Sequence, residues 1–139
     1  MRVLALDIGD RRVGVAVSDP SGRLARPVTT VKRTGRDFRV IADLVVEHAI
    51  DHIVAGYPSN MDGSVGEQAR RVESYVNGLR QHVTVPIELW DERLSSVEAE
   101  RLMIEAGRST SYRRNRIDAA AAAVILQSYL DAGTGRESR

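Results

Sequence analysis

Acidic side chains stand at the ends of several predicted elements, where they could share one site. Asp7 interrupts an apolar run, Asp91 and Glu92 follow another, and Asp118 opens an alanine-rich apolar stretch. Burying an unpaired carboxylate is costly, so an acid at the end of a core strand is usually paired, hydrogen-bonded or bound to a metal. Oxygen ligands without cysteines or a suitable histidine pair favour Mg²⁺ or Mn²⁺ over Zn²⁺. We therefore take a divalent-metal site as the working hypothesis.

Two of these acids also have a purely structural explanation. Asp91 could cap the helix that follows it, and Asp118 could interact favourably with the positive N-terminus of its own helix. Adjacent strand residues point to opposite faces, so at most one of Asp91 and Glu92 should face the cleft that holds Asp7. The evidence for a site is the placement of these acids on one rim, provided that the first and fifth strands are parallel.

Period-two alternation predicts three strands at the start of the chain. The runs 3–8 and 13–17 are joined by turn residues, and a third run over 23–31 contains Pro27, which indicates an edge strand. In the second run, Gly14, Ala16 and Ser18 share one face. A face of small residues allows a helix or a ligand backbone to approach the sheet closely.

Helical periodicity then alternates with short apolar runs, which predicts an α/β fold. The polar loop over 56–64 precedes a helix with a Ser64–Glu67 capping box; such a loop can bind an anion or simply connect strand and helix. We expect residues 107–116 to form a basic, mobile segment, residues 1–132 to form one domain, and 133–139 to form a disordered tail. The remaining elements are helices over 35–49, 64–80, 95–106 and 117–130, and strands over 51–56 and 83–89.

Composition limits the classes of function. The 139 residues are 42% hydrophobic and 28% charged, which is ordinary for a soluble single domain, and no apolar stretch reaches membrane-spanning length. The absence of cysteines and of a signal-peptide pattern favours a cytoplasmic protein without membrane contact. Net charge is only +1, but arginines cluster at 33–39 and 108–116. Their planar guanidinium groups suit phosphate, although base composition of the genome would also raise the arginine total.

Four motifs together resemble the YqgF family of ribonuclease H-like proteins, whose members are described as Holliday junction resolvases and as pre-16S ribosomal RNA nucleases. The resemblance spans nearly the whole chain. The motifs are Leu6-Asp-Ile-Gly9 with the run 12–19, Gly56-Tyr-Pro-Ser-Asn-Met-Asp-Gly-Ser64, Asp91-Glu-Arg-Leu-Ser-Ser-Val-Glu-Ala99, and Asp118 with the alanines that follow.

The resemblance implies a five-stranded mixed sheet of order 3-2-1-4-5 and a two-metal-ion nuclease. Asp7, Glu92 and Asp118 would be the catalytic residues and would hold two Mg²⁺ or Mn²⁺ ions, which orient water and the scissile phosphate. Asp91 is the less certain ligand. The residues expected to hold the nucleic-acid backbone are Arg12, Asn60, Gly63, Ser64, Arg93, Arg113, Arg114 and Arg116.

Several functions remain open at this stage. Processing of the 5′ end of pre-16S rRNA in ribosome biogenesis is the first hypothesis, and resolution of branched DNA, which requires a homodimer, is the second. A non-catalytic RNA-binding or transcription-associated module is the alternative of another class. The Asp-Ile-Gly motif also resembles the phosphate loop of actin-like ATPases, but those enzymes enclose a nucleotide between two domains. Few aromatic residues favour recognition of backbone and shape over base stacking.

Overall fold

A mixed sheet with helices on both faces forms the described part of the chain. The computed structural model describes residues 1–58, 66–91 and 111–137, and the predicted helix over 95–106 lies outside them. The described elements are β1 (Val3–Ile8), β2 (Arg12–Ser18), β3 (Ala25–Lys32), α1 (Asp37–Glu47), β4 (His52–Tyr57), α2 (Glu67–Leu79), β5 (Ile87–Asp91) and α3 (Ser111–Glu137).

The five strands have the order β3-β2-β1-β4-β5, as the sequence predicts. The leading strands β1, β2 and β3 form an antiparallel meander, whereas β1, β4 and β5 run parallel to one another. The carboxyl ends of β1, β4 and β5 therefore meet at one edge of the sheet. Asp7 lies near the end of β1, and Tyr57 at the end of β4 pairs with Asp91 at the end of β5.

Strand alternation divides the hydrophobic core between the two faces of the sheet. On one face, Leu4 and Leu6 of β1 pack with apolar residues of α1 and α2. On the other face, Val3 and Ala5 pack with α3, whose inward side chains are Ala122, Ile125, Leu126, Tyr129 and Leu130. Asp7 follows the alternation of Val3 and Ala5, so its side chain belongs to the face that α3 covers.

The third strand is an edge strand, as Pro27 predicts. Its pairing with β2 shifts register between Val15 and Ala16, and Pro27 pairs with Ala16 at this irregularity. The side chain of Gln127 fastens α3 to the start of β3: it accepts a hydrogen bond from the Ala25 N–H at 3.0 Å and donates one to the Arg23 carbonyl at 2.9 Å. These two bonds hold the last helix across the meander.

The predicted starts of β5 and α2 are wrong. The fifth strand was expected over 83–89 but spans Ile87–Asp91, because Pro86 has no N–H to donate and precedes the ladder; its carbonyl accepts a hydrogen bond from Ile53 N–H at 2.9 Å. Helix α2 begins at Glu67 with Gly66 as its N-cap, rather than at Ser64. Gly66 has an extended backbone and provides no side-chain cap.

The last helix is longer than expected. It begins at Ser111, so residues 111–116 are helical rather than part of an irregular segment, and it continues past residue 130 to Glu137. The segment is helical because arginine is a good helix former and no proline interrupts it. Its polar composition led to the prediction of an irregular segment. Although α3 is long, no helix in the described ranges is apolar enough over a sufficient length to cross a bilayer.

Candidate active site

Asp7 and Asp118 come together through a close approach of α3 to the sheet. Asp7 pairs with Gly14 across the β1–β2 ladder. The backbone of Asp118 lies directly above Gly14: a Cβ atom added to Gly14 would overlap the Asp118 carbonyl group and would lie 3.1 Å from the Ala119 nitrogen. Directly paired strand residues have Cα atoms roughly 4.5–5.5 Å apart. The two acids are therefore neighbours on one face of the sheet, near the carboxyl end of β1.

Arg12 is the cation next to this pair. Its Nε lies 3.0 Å from Oδ2 of Asp118, and the two side chains are 37% and 26% exposed. Despite this proximity, Asp118 Oδ2 is buried and accepts no hydrogen bond within the part of the chain that the structure describes. The attraction is thus electrostatic, and this carboxylate oxygen retains its capacity to accept a further ligand.

The end of β5 is anchored to α3 by Trp90. The indole Nε1 donates a hydrogen bond to Ser128 Oγ at 3.1 Å, and the indole ring meets the Tyr129 ring edge-on at 5.2 Å. Trp90 packs in the same cluster as α3, whereas Leu89 packs on the α1 and α2 side. By alternation Asp91 shares the face of Leu89, opposite to the face of Asp7 and Asp118. Its position argues against a shared site with these two acids.

Tyr57 fixes the end of β4 on the same rim. Its hydroxyl donates a hydrogen bond to Glu73 Oε1 at 2.6 Å. This hydrogen bond, followed by desolvation and the negative charge of Glu73, raises the pKa of Tyr57, and nearby Arg70 opposes the shift. The phenol therefore remains a neutral donor, and it ties β4 to α2 just before the glycine-containing loop.

The β1–β2 hairpin, which carries Asp7 and Arg12, is braced by Arg33, the residue that follows β3. The backbone N–H of Arg33 donates to the Arg11 carbonyl at 2.9 Å, and Arg33 Nη1 donates to the Gly9 carbonyl at 2.9 Å. A turn that carries two charged site residues is held at several backbone positions. Its geometry is therefore set by hydrogen bonds as well as by the strand ladder.

Several predicted site residues lie outside the described ranges, namely Asn60, Gly63, Ser64, Glu92 and Arg93. The backbone of Arg113, Arg114 and Arg116 lies in the first turns of α3. Within residues 1–58, 66–91 and 111–137, no group of three or more His, Cys, Asp or Glu is arranged to hold a metal ion. The structure thus brings together Asp7 and Asp118, two of the three predicted ligands, and the third, Glu92, lies outside the described residues.

The donor set at this pair suits a hard divalent cation. Asp7 and Asp118 supply carboxylate oxygens, and Oδ2 of Asp118 is the buried oxygen that accepts no hydrogen bond among the described residues. Mg²⁺ and Mn²⁺ prefer such oxygen ligands and are commonly held by only one or two carboxylates. The residues present therefore fit the metal that the sequence suggested.

Sequence reasoning missed the polar contacts on the α1 and α2 face of the sheet, next to the hairpin. Asp37 is buried at 7% exposure and accepts a hydrogen bond from the Tyr75 hydroxyl at 2.7 Å, while Arg71 reaches Asp10 of the hairpin at 3.4 Å. The clustering of Arg33 with two further arginines was the only signal in the sequence. Nothing in the spacing linked this cluster to α2.

Comparison with solved structures defines the class of fold. A RuvC resolvase from T. thermophilus, in complex with a Holliday junction substrate, superposes with a TM-score of 0.63 at 16% identity, covering 96% of this chain and 97% of that chain. A fowlpox virus resolvase bound to Holliday junction DNA gives 0.57 at 12% identity, over 95% and 98%. At these identities the likeness concerns the fold, which is the ribonuclease H-like fold of resolvases.

The family follows from sequence. The model of the RuvX family, described as Holliday junction resolvase, matches residues 1–132. A relative from Thermoanaerobacter pseudethanolicus is 45% identical over 94% of this chain and 96% of its own length, and one from Clostridium novyi is 46% identical over 94% and 98%. Both carry the provisional name of pre-16S rRNA nuclease. The chain belongs to the RuvX (YqgF) family, which confirms the predicted family and its class, nuclease.

Proposed function

We propose that this protein is a divalent-metal-dependent endonuclease that processes the 5′ end of pre-16S rRNA. The observation that carries the proposal is the close approach of α3 to β2, which sets Asp118 above Gly14 and beside Asp7. A glycine under a helix backbone and two carboxylates on one rim have little value for stability alone, because neighbouring carboxylates repel each other. They have a clear use in holding cations against a phosphodiester.

The chain's own residues would divide the work as follows. Asp7 and Asp118, with Glu92 following β5, would hold two Mg²⁺ or Mn²⁺ ions. When bound, such ions activate water and stabilise the charge that develops during phosphodiester hydrolysis. Arg12, held 3.0 Å from Asp118, offsets the negative charge of the acids and can contact a phosphate oxygen at the same rim. Further phosphates would be held by the loop around Asn60, Gly63 and Ser64 and by Arg93, Arg113, Arg114 and Arg116.

The preference for precursor rRNA rests on the relatives. Those at 42–46% identity align over nearly their whole length and share that name, whereas the solved resolvases are only 12–16% identical. Resolution of a Holliday junction is the second candidate, favoured by the description of the matching family and by the fold. It requires a homodimer because two symmetric strands are cut. With either activity the protein would work in the cytoplasm, where both substrates occur.

The test is cleavage of two end-labelled substrates in parallel, the 5′ leader of pre-16S rRNA and a four-way DNA junction, with Mg²⁺, Mn²⁺ or a chelator. We expect metal-dependent cutting of the RNA that is lost in Asp7→Asn and retained in Asp43→Asn, a matched change at an exposed position of α1. Cutting of the junction alone would favour the resolvase. A folded protein that binds nucleic acid, cuts neither substrate and binds equally well as Asp7→Asn would instead be a non-catalytic binding module.

A further inference from the structure

A cavity lies on the face of the sheet opposite to Asp118. It has a volume of about 390 Å³ and opens between the start of α1 and the outer side of α2. Two arginines and two aromatic rings dominate its wall. The lining residues are Arg33, Phe38, Arg71, Ser74, Tyr75 and Gly78. None of them belongs to the predicted active site.

The floor of this cavity is rigid. The Phe38 and Tyr75 rings meet edge-on at 4.8 Å, and the absence of a side chain at Gly78, where a Cβ would come within 2.8 Å of Phe38, lets the Phe38 ring lie close to α2. The Tyr75 hydroxyl is fixed by its hydrogen bond to buried Asp37 at 2.7 Å, and Asp37 also accepts from the Gly35 N–H at 3.2 Å. Desolvation and this bond raise the pKa of Tyr75, so the phenol stays protonated and remains a donor.

The two arginines are already oriented. The guanidinium of Arg33 lies 4.7 Å from the centroid of the Tyr75 ring, and its Nη1 donates to the backbone carbonyls of Gly9 at 2.9 Å and Asp10 at 3.4 Å. A guanidinium has five N–H donors, so these contacts occupy part of its capacity. Arg71 is about half exposed and contacts two exposed carboxylates, Glu67 at 2.9 Å and Asp10 at 3.4 Å. Ion pairs between exposed side chains are weak, so a phosphodiester could replace either carboxylate as the partner of Arg71.

This cavity is linked to the active site through the β1–β2 hairpin. Gly9 and Asp10, which contact the two arginines, follow Asp7 by two and three residues. Asp7 faces α3, whereas the cavity lies on the α1 and α2 side. A nucleic acid that crosses the rim of the sheet at the hairpin would therefore meet the carboxylates on one side and the arginine pair on the other.

We propose that Arg71 and Arg33 form a second phosphate-binding subsite, which holds a backbone phosphodiester of the same substrate across the hairpin from the scissile bond. The inference rests on the proposed nuclease function and extends it. Planar guanidinium groups on a rigid aromatic support match the geometry of a phosphodiester, and the contact is independent of base identity. The subsite therefore serves RNA and DNA backbones alike, and the choice of substrate does not depend on it.

The experiment measures binding of a fluorescently labelled pre-16S leader RNA and a labelled four-way DNA junction to the full-length Asp7→Asn protein. In this background we compare Arg71→Gln with Arg23→Gln, an equal change of charge in the turn between β2 and β3, at the opposite end of the sheet. Arg71→Gln is preferred to a change at Arg33, which also braces the hairpin. We expect Arg71→Gln to raise Kd about tenfold and to reduce the slope of log K against log salt by roughly 0.7–0.9, the loss of one phosphate contact. Arg23→Gln should change neither quantity.

A third variant separates a phosphate contact from support of the hairpin. Asp10→Asn removes a carboxylate that competes for Arg71, so it should leave binding unchanged or tighten it. Weakening by Asp10→Asn to the same extent as by Arg71→Gln would overturn the inference, because Arg71 would then act by holding the hairpin. An unchanged salt slope in Arg71→Gln would also overturn it while leaving the nuclease proposal standing. Failure of the Asp7→Asn parent to bind either nucleic acid would overturn both.

Discussion

Replacing Gly14 by alanine tests the close approach that creates the candidate site. The added methyl group would overlap the Asp118 carbonyl, with the Ala119 nitrogen only 3.1 Å away, and all of these are backbone atoms that cannot rotate aside. Helix α3 would have to move outward by about 1 Å, because protein interiors are close-packed. Since α3 packs through Ile125 and Leu126, both nearly inaccessible, the displacement would loosen that whole face of the core.

Two measurements should therefore change together in Gly14→Ala. Overpacking of this kind typically lowers the free energy of unfolding by about 1–3 kcal/mol, measurable by urea titration. Displacement of a catalytic group by about 1 Å can cost about a hundredfold in rate, so cleavage should fall by about that factor under conditions where the variant remains folded. The loss of rate exceeds what partial unfolding would cause, because a protein that is still mostly folded loses little activity through its unfolded fraction.

Gly133→Ala is the matched control. It introduces the same methyl group on α3, where the added Cβ meets no described atom within 4 Å, and alanine favours a helix by up to about 1 kcal/mol over glycine. We expect unchanged cleavage and equal or slightly higher stability. If Gly14→Ala behaved like Gly133→Ala in both assays, α3 would not lie on the glycine and the explanation of the site would be wrong.

The remaining predictions concern buried hydrogen bonds and the response to acid. Tyr75→Phe leaves buried Asp37 without the hydroxyl that donates to it at 2.7 Å, so the free energy of unfolding should fall by about 1–3 kcal/mol. Tyr57→Phe removes a hydrogen bond at a more exposed site and should lower the free energy of unfolding by less. Equal losses in the two variants would refute the role of burial. Ser18→Ala removes the fully buried hydroxyl that accepts a hydrogen bond from the Val3 N–H at 2.9 Å. The free energy of unfolding in urea should fall by about 1–3 kcal/mol. No change would mean that this N–H finds another partner. Desolvation raises the pKa of Asp19, but hydrogen bonds from the Ser21 hydroxyl and nearby backbone N–H groups outweigh it and lower the pKa below its usual value of 3.8. Its contribution to stability is therefore present above pH 3.8 and disappears as pH falls through the lowered value, so Asp19→Asn should flatten the acid limb of the stability curve; an unchanged limb would contradict this.

The sequence predicted the fold well where the alternation of apolar residues agrees with the observed strand order. Alternation in β1 and β2 assigned each face correctly, Pro27 marked the edge strand, and the small residues of β2 indicated that something approaches closely, which proved to be α3. The identity of the approaching element could not be predicted, because the contact between Gly14 and Asp118 joins positions more than a hundred residues apart. Local patterns can indicate a close approach, but they do not identify the two positions that meet.

The predicted boundaries of the last helix and of β5 were wrong for local reasons. Polar residues at 111–116 concealed a helix, and Pro86 moved β5 toward its carboxyl end, so that Asp91 is a strand residue rather than part of the following turn. The contacts of Arg33 and Arg71 with the hairpin were also missed, because they depend on how separate elements come together in the fold. The spacing of motifs along the chain does not reveal side chains that contact the hairpin from the opposite face of the sheet.

The most direct test of the central claim is Mn²⁺-supported cleavage by Asp118→Asn compared with Asp131→Asn. Both changes neutralise one aspartate of α3, but Asp131 is exposed and contacts Gln127 at 3.0 Å, far along the helix from the site. We predict that Asp118→Asn loses cleavage by at least about a hundredfold while its free energy of unfolding is preserved, and that Asp131→Asn cleaves like the unmodified protein. Full cleavage by Asp118→Asn would show that the acid above Gly14 is not part of the catalytic site.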